Sequence, residues 1–194
     1  MARTKTFDEA EVLDKAVDIF RRKGYRATSP EDLVIHLGIS RSSLYDTYGD
    51  KRTLFIKSLT RYQEATSKTL HDIADGASDA LEGIKGIFEL TLNGCFEDTM
   101  PQGCFLVNSI VEFGAEDMET TGIVQASMND NRNTLLHLIE RGQQNGQLNN
   151  NLKADALADF LVNNLSGISI SAKAGTGREA CEAIAQNAIA ILAA

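Results

Sequence analysis

The sequence predicts an all-α protein, and three observations carry that expectation. Only two prolines stand in 194 residues, which are otherwise rich in Ala, Leu and Ile, so little interrupts helix formation. Apolar residues recur at three- and four-residue spacing through most of the chain. Between Ala27 and Phe55 the order is short helix, tight glycine-containing turn, second short helix and the start of a longer one, the layout of a DNA-binding helix-turn-helix. The expected organisation is a three-helix DNA-binding domain over residues 1–50, then a helical domain over 51–194 that opens with a long linker helix of about 51–75.

A first helix is predicted from Asp8, with Val12, Ala16, Ile19 and Phe20 on one face and Gly24 at its end. Ser29 is placed to cap the second helix, with Pro30 at its first position and Asp32 near the positive end of its dipole. Leu33, Val34 and Leu37 give that helix its apolar face, and Gly38 stops it. Ser40 caps the next helix, Arg41 to about Tyr48. Its fully apolar residue is Leu44, while Arg41, Ser42, Ser43, Tyr45, Thr47 and Tyr48 carry hydrogen-bonding tips, as suits a helix that faces a polar partner.

Asp50 caps the linker helix, where Leu54, Phe55, Leu59 and Tyr62 face the head and Leu70 and Ile73 enter the body. Ile84, Ile87, Phe88 and Thr91 mark a helix through about Phe96, broken at Asp98 to Pro101. The segment from Cys104 to Phe113 is apolar on almost every side, which predicts a helix in the middle of the body. A long helix from about Met118 to Gly146 follows. Ala154, Leu157, Leu161, Leu165 and Ile168 form the stripe of a penultimate helix; Thr176 and Glu179 form an expected capping box, and Cys181, Ile184, Ala188 and Ile191 continue the last one. These two helices are rich in small residues, so they are expected to pair with a second subunit in a four-helix bundle through Leu161, Leu165, Ala188 and Ile191; the alternative is a pair that only covers the body's own core.

The net charge of −8 divides unevenly along the chain. Residues 1–61 hold 12 Lys/Arg against 9 Asp/Glu, and residues 62–194 hold 7 against 18, so the balances are +3 and −11. A basic head on an acidic body gives DNA an electrostatic reason to meet the head alone. Arg21, Arg22, Lys23 and Arg26 cluster beside the motif, either as phosphate contacts or as a solvated charged face.

Other function classes lack their residues. His36, His71 and His137 fall on separate helices, and the His137–Glu140 pair has no second such pair to complete a metal site. The Ala174-Gly-Thr-Gly turn lacks the Lys-Ser/Thr ending and preceding strand of a phosphate loop. No catalytic residues, metal or cofactor are expected. Cys95, Cys104 and Cys181 make an odd count without metal spacing, and neither a leader nor an apolar run of about 18 residues is visible, so a cytoplasmic protein without membrane contact is expected.

From Val12 to Phe55 the chain resembles the TetR-type transcriptional regulators. The resemblance rests on F-x-x-K-G-Y at the first helix end, the Thr28-Ser29 pair, the L-G-I-S turn, the S-L-Y of the second motif helix, and Y-x-x-K-x-x-L-F opening the fourth. Tyr48 stands where the family more often has Phe, and Thr47 where His or Tyr is common. The resemblance implies a repressor that binds a palindromic duplex operator as a homodimer, with a pocket in the body for a small-molecule effector. On that basis Arg41, Ser42 and Thr47 are expected at base edges, and Thr28, Tyr45, Tyr48 and Lys51 at phosphates. The alternative is a helical adaptor that keeps the fold and has lost specific DNA binding. Expected pocket residues are Phe88, Leu92, Phe96, Cys104, Phe105, Val107, Asn108, Val111, Phe113, Met128, Leu135 and Leu161, each of which can equally fill the core; the largely apolar set suggests a hydrophobic ligand. Gly103 to Val107 with Glu112 resembles an element of an electrophile-responsive TetR branch, and Lys173 a lysine of that branch. A Cys104 near a helix N-terminus and an ammonium would form thiolate more readily, whereas a thiol buried among apolar groups is inert.

Overall fold

A computed structural model describes residues 7–97 and 101–193, and within them nine α-helices and no strand. The first three form the head: α1 (Glu9–Lys23), α2 (Pro30–Leu37) and α3 (Arg41–Tyr48). Their ends follow from single residues. The Asp8 carboxylate accepts the Ala10 N–H at 2.8 Å. Ser29 and Asp32 form a reciprocal capping box, and Ser40 accepts the Ser43 N–H at 3.1 Å. Gly38 takes the left-handed conformation at φ 68°, open to glycine at no steric cost, and turns α2 into α3.

The long α4 (Lys51–Gly76) starts where Asp50 accepts the Thr53 N–H at 2.6 Å. At roughly 1.5 Å per residue its 26 residues reach from the head core at Leu54 and Phe55 to the body core at Leu70 and Ala74. The body is completed by α5 (Ala80–Phe96), α6 (Phe105–Phe113), α7 (Met118–Gln144), α8 (Ala154–Lys173) and α9 (Arg178–Ala190). Its core joins Leu70, Ile84, Ile87 and Phe88 to Leu135, Leu138, Leu157, Leu161, Ile168 and Cys181.

The α6 helix departs from its expected place in the middle of the body. Phe105 and Leu106 belong to the core of the head, beside Phe20, Leu33, Leu54, Phe55 and Leu59, while Val111 on the opposite side is 71% exposed. The reason is aromatic packing: Phe105 and Phe113 lie 5.6 and 5.2 Å from the Phe55 ring, and Tyr25 and Phe20 close the cluster from α1 and its loop. The apolar run of α6 therefore reads as one helix serving two neighbours.

Two smaller expectations also change. The Thr176–Glu179 capping box does not form; Gly177 is the N-cap of α9, and the Thr176 N–H instead bonds the Ser171 carbonyl at 3.0 Å in the turn that closes α8. Cys104 is the N-cap of α6, in extended conformation at φ −89° and ψ 133°, one step outside the helix in which it was expected. Most of the expected break after α5, Asp98 to Met100, lies outside the described residues.

Polar clamps fasten head to body. The Glu112 carboxylate of α6 accepts the backbone N–H groups of Tyr25 (2.8 Å) and Arg26 (2.6 Å) at the α1–α2 corner. Arg52, in the first turn of α4, binds Asp117 at 2.7 Å, Glu119 at 3.1 Å and the Thr120 hydroxyl at 3.2 Å, all at the start of α7. Both clamps are charge-assisted and partly shielded, so each is stronger than an exposed ion pair.

Candidate functional site

The polar face of α3 is built by subtraction. Leu44 and Tyr48 turn inward and hold the helix on the head, which leaves Arg41 and Ser42 exposed and Tyr45 and Thr47 half-exposed on the outer side. The Arg41 guanidinium meets the Glu31 carboxylate at 3.0 Å and lies 5.8 Å from the Tyr45 ring centre, an exposed pair that a stronger anion can displace. Ser42 and Ser43 share hydrogen bonds with the Ser40 hydroxyl. Lys51, half-buried in the first turn of α4, sits 4.3 Å over the Tyr25 ring, and burial lowers its pKa.

Two expected phosphate contacts face the interior. Tyr48 is 3% exposed, its phenol pushed up to about 12 by burial; its hydroxyl is buried and Lys57 lies over its ring at 5.5 Å. Thr28 is 1% exposed and donates its hydroxyl to the Gly24 carbonyl at 2.5 Å. Both residues shape the surface that the motif presents, from below it. The basic cluster also separates: Arg22 pairs with Asp18 and Lys23 with Asp32, which holds the Asp32 carboxyl well below the usual carboxylate range, whereas Arg21 leaves the head altogether.

Behind the head lies a cavity of about 300 Å³ between α4, α5, α7 and α8. Of the expected pocket residues, Cys104, Val107 and Met128 line it. Phe88 and Leu92 instead line a separate open groove between α5 and α9. Phe105 and Phe113 serve the aromatic cluster, Leu135 and Leu161 are enclosed in the body core, and Phe96 packs against that core. Asn108 donates to the Gln102 carbonyl at 2.9 Å and to that of Arg21 at 3.4 Å, and Val111 faces away. The cavity is more polar than expected, because Thr66, Thr91, Ser127, Asn131 and Ser166 reach it from four helices. The four hydroxyl residues are small enough to pass for core-facing positions, so helical periodicity alone does not single them out.

Cys104 is half-buried at the cavity edge, and the Tyr62 hydroxyl points at its sulfur from 3.8 Å. Burial drives the Tyr62 phenol far above its ordinary value. Lys173 does not bond the thiol. Its ammonium donates to the Arg21 backbone carbonyl at 3.0 Å, and burial, with the nearby Arg21 charge, lowers its pKa.

The expected dimer face requires correction. Leu161, Leu165 and Ala188 are buried inside the single chain, against α5 and α7, and cannot also supply a seam to a second subunit; Ile191 alone of that set is exposed. The outward apolar residues of these helices are Phe160 and Ile170 on α8 and Ile184 on α9, with Ile191 just beyond its end. Alternating stripes on both faces of α8 made the choice between them ambiguous in sequence.

Comparison with known proteins places the chain. Residues 12–57 match the bacterial regulatory proteins of the tetR family, and residues 80–188 match the tetracyclin repressor-like C-terminal domain. The chain belongs to the TetR family. The uncharacterized HTH-type transcriptional regulator YezE of Bacillus subtilis (strain 168) is 32% identical over 174 residues, which cover 89% of this chain and 90% of YezE. The HTH-type transcriptional repressor ComR of Escherichia coli (strain K12) is 28% identical over 91% of this chain and 85% of its own. Among solved structures, the TetR family transcriptional regulator CifR, as a cysteine mutant complexed with 26-bp double-strand operator DNA, superposes with a TM-score of 0.85 at 27% identity, covering 98% of this chain and 100% of CifR. Within this TetR-family regulator, no described helix is long and apolar enough to cross a membrane, and no described group of His, Cys, Asp and Glu could hold a metal ion.

Proposed function

We propose that this regulator is a cytoplasmic repressor that binds a palindromic operator as a homodimer, with α3 of each subunit in the major groove, and that a small molecule in the cavity releases it. The observation that carries the reading is the outer face of α3, where Arg41, Ser42, Tyr45 and Thr47 are presented by a helix whose inner side is fully engaged. Operator-bound CifR supports it by likeness of fold and sequence. Arg41 and Ser42 are assigned to base edges with Thr47, and Tyr45 and Lys51 to phosphates. The exposed Phe160, Ile170, Ile184 and Ile191 are assigned to the subunit seam. DNA reading is assigned to a head over 1–50, whose core the start of α4 and α6 complete, and regulation to the rest of the body over 51–194.

A salt-dependent gel shift against DNA upstream of the protein's own gene tests the reading, since an adaptor without specific binding would show no preferred site. Arg41→Ala is expected to weaken the best site by about 1–3 kcal/mol and to relax base preference, whereas Lys51→Ala weakens all sequences alike and lowers the salt slope by about 1. Unchanged affinity in both variants would overturn the assignment.

A second route of release has its own observation: Cys104 lines the cavity, so a reagent held there reaches the sulfur. Addition of the thiol to a quinone would fill the cavity covalently. Quinone-induced release of DNA is expected to disappear in Cys104→Ser, and release undiminished in that variant would exclude this cysteine as the switch.

A further inference from the structure

Among the described residues that line the cavity, Arg21 alone comes from α1–α3. Its side chain leaves the head and enters the body. Nε donates to the Gly103 carbonyl at 2.7 Å, Nη2 donates to the Gly94 carbonyl, and the guanidinium lies 5.9 Å from the Tyr62 ring centre. The backbone carbonyl of the same residue accepts from Lys173 and Asn108. One residue thus ties the C-terminal turn of α1 to α4, α5, α6 and α8.

The charge on Arg21 has no carboxylate partner among the described residues. Glu112, the acid that faces this corner, has its oxygens engaged by the Tyr25 and Arg26 N–H groups, and Glu97 at the cavity rim is exposed to water. Lys173 adds a second positive group nearby, and its ammonium is engaged by the Arg21 carbonyl. A guanidinium carries five N–H donors, and the two bonds to carbonyls leave Nη donors for another acceptor. The walls beyond it mix the apolar Leu70, Ile87, Val124 and Leu165 with the small polar tips of Thr66, Thr91, Ser127 and Ser166. At about 300 Å³ the space lies at the small end of organic-ligand pockets, roughly 300–1,000 Å³.

We propose that the cavity takes a small monocarboxylate with a short apolar tail, its carboxylate on Arg21 and its tail between α5 and α8, and that through Arg21 its binding reaches the DNA-reading head. A planar guanidinium matches a carboxylate in shape and charge. Arg21 is the one cation among the described lining residues, which suits a monoanion, and a polyanion such as phosphate would keep further charge unpaired in the cavity. A ligand that draws Arg21 from the Gly94 and Gly103 carbonyls acts on α1 directly, so it favours a different head arrangement by differential contact. The binding half stands by itself; the coupling half rests on the repressor reading.

Isothermal titration calorimetry of the whole wild-type protein with hexanoate, uncharged hexanamide and inorganic phosphate tests the first half. Hexanoate is expected to bind at least about tenfold more tightly than hexanamide, and phosphate not to bind. Arg21→Gln is expected to take hexanoate and hexanamide alike; because Arg21 also fastens the fold, Leu165→Phe supplies a second variant that fills the cavity and is expected to abolish hexanoate binding. Equal binding of hexanoate and hexanamide to wild type, or no binding of either, overturns the proposal without recourse to a variant. Hexanoate that binds without releasing operator DNA overturns the coupling. A protein that binds hexanoate but no DNA at any salt concentration sinks the repressor reading and leaves the cavity assignment standing.

Discussion

Replacing Phe55 with alanine is expected to lower the unfolding free energy by about 3–5 kcal/mol, the range for truncating a fully buried phenylalanine. The ring is wholly enclosed and meets those of Phe20, Tyr25, Phe105 and Phe113 at centroid distances of 5.0 to 5.6 Å. These partners come from α1, the α1–α2 loop and both ends of α6, so no neighbouring backbone can collapse into the void without shifting another ring. Against a total stability of order 5–15 kcal/mol the loss is large. Urea unfolding followed by circular dichroism measures it; a loss below about 1 kcal/mol would show that the cluster contributes little.

Ile184→Glu is expected to separate the subunits and, with them, to abolish tight binding to a two-half-site operator. The residue is 38% exposed in the single chain and, like Ile170, Phe160 and Ile191, is an apolar side chain that the chain leaves uncovered, so in the proposed seam a carboxylate there would be desolvated without a partner on dimer formation. The penalty is on the order of 3 kcal/mol or more per subunit. Sedimentation at micromolar concentration distinguishes the outcomes. A variant still dimeric would place the seam elsewhere, and a wild type that sediments as a monomer would remove it. Leu165→Glu gives the contrast: its side chain lies inside the chain, so unfolding is expected before any change of assembly.

What the sequence made legible is what is decided within a few residues. Ser29, Ser40 and Asp50 each cap the helix they announce, and Asp8 caps the helix expected to start there, because a short oxygen side chain beside free N–H groups can close the helix end locally; Thr176, taken up in the turn after α8, does not. The inward stripe of α1 and the stop at Gly38 follow from the same local chemistry. Long-range choices were not legible. Arg21 reads as one basic residue in a run of four, and only the fold brings it to the Gly103 carbonyl 82 positions away. The apolar run of α6 gives no sign of which neighbour it serves, and the stripe through Leu161 and Leu165 does not reveal whether the chain or a second copy covers it. The cavity's polar lining was hidden because threonine and serine fit core-facing positions by size alone.

The corner where Glu112 grips Tyr25 and Arg26 bears on how this architecture can be recombined. A side chain added at Gly24, already at φ 82°, would come within 2.8 Å of a Glu112 oxygen, and Phe105, Leu106 and Phe113 fill space that the first four helices leave open. The DNA-reading end is therefore discontinuous in sequence: its core joins roughly the first sixty residues to a nine-residue helix supplied from beyond the linker, with Val124 of α7 closing one side. A chimera that exchanges heads between regulators of this kind by a single crossover in α4 joins a foreign head to a resident α6. The grafted piece keeps its core only when α6 travels with it as a second, separate insert.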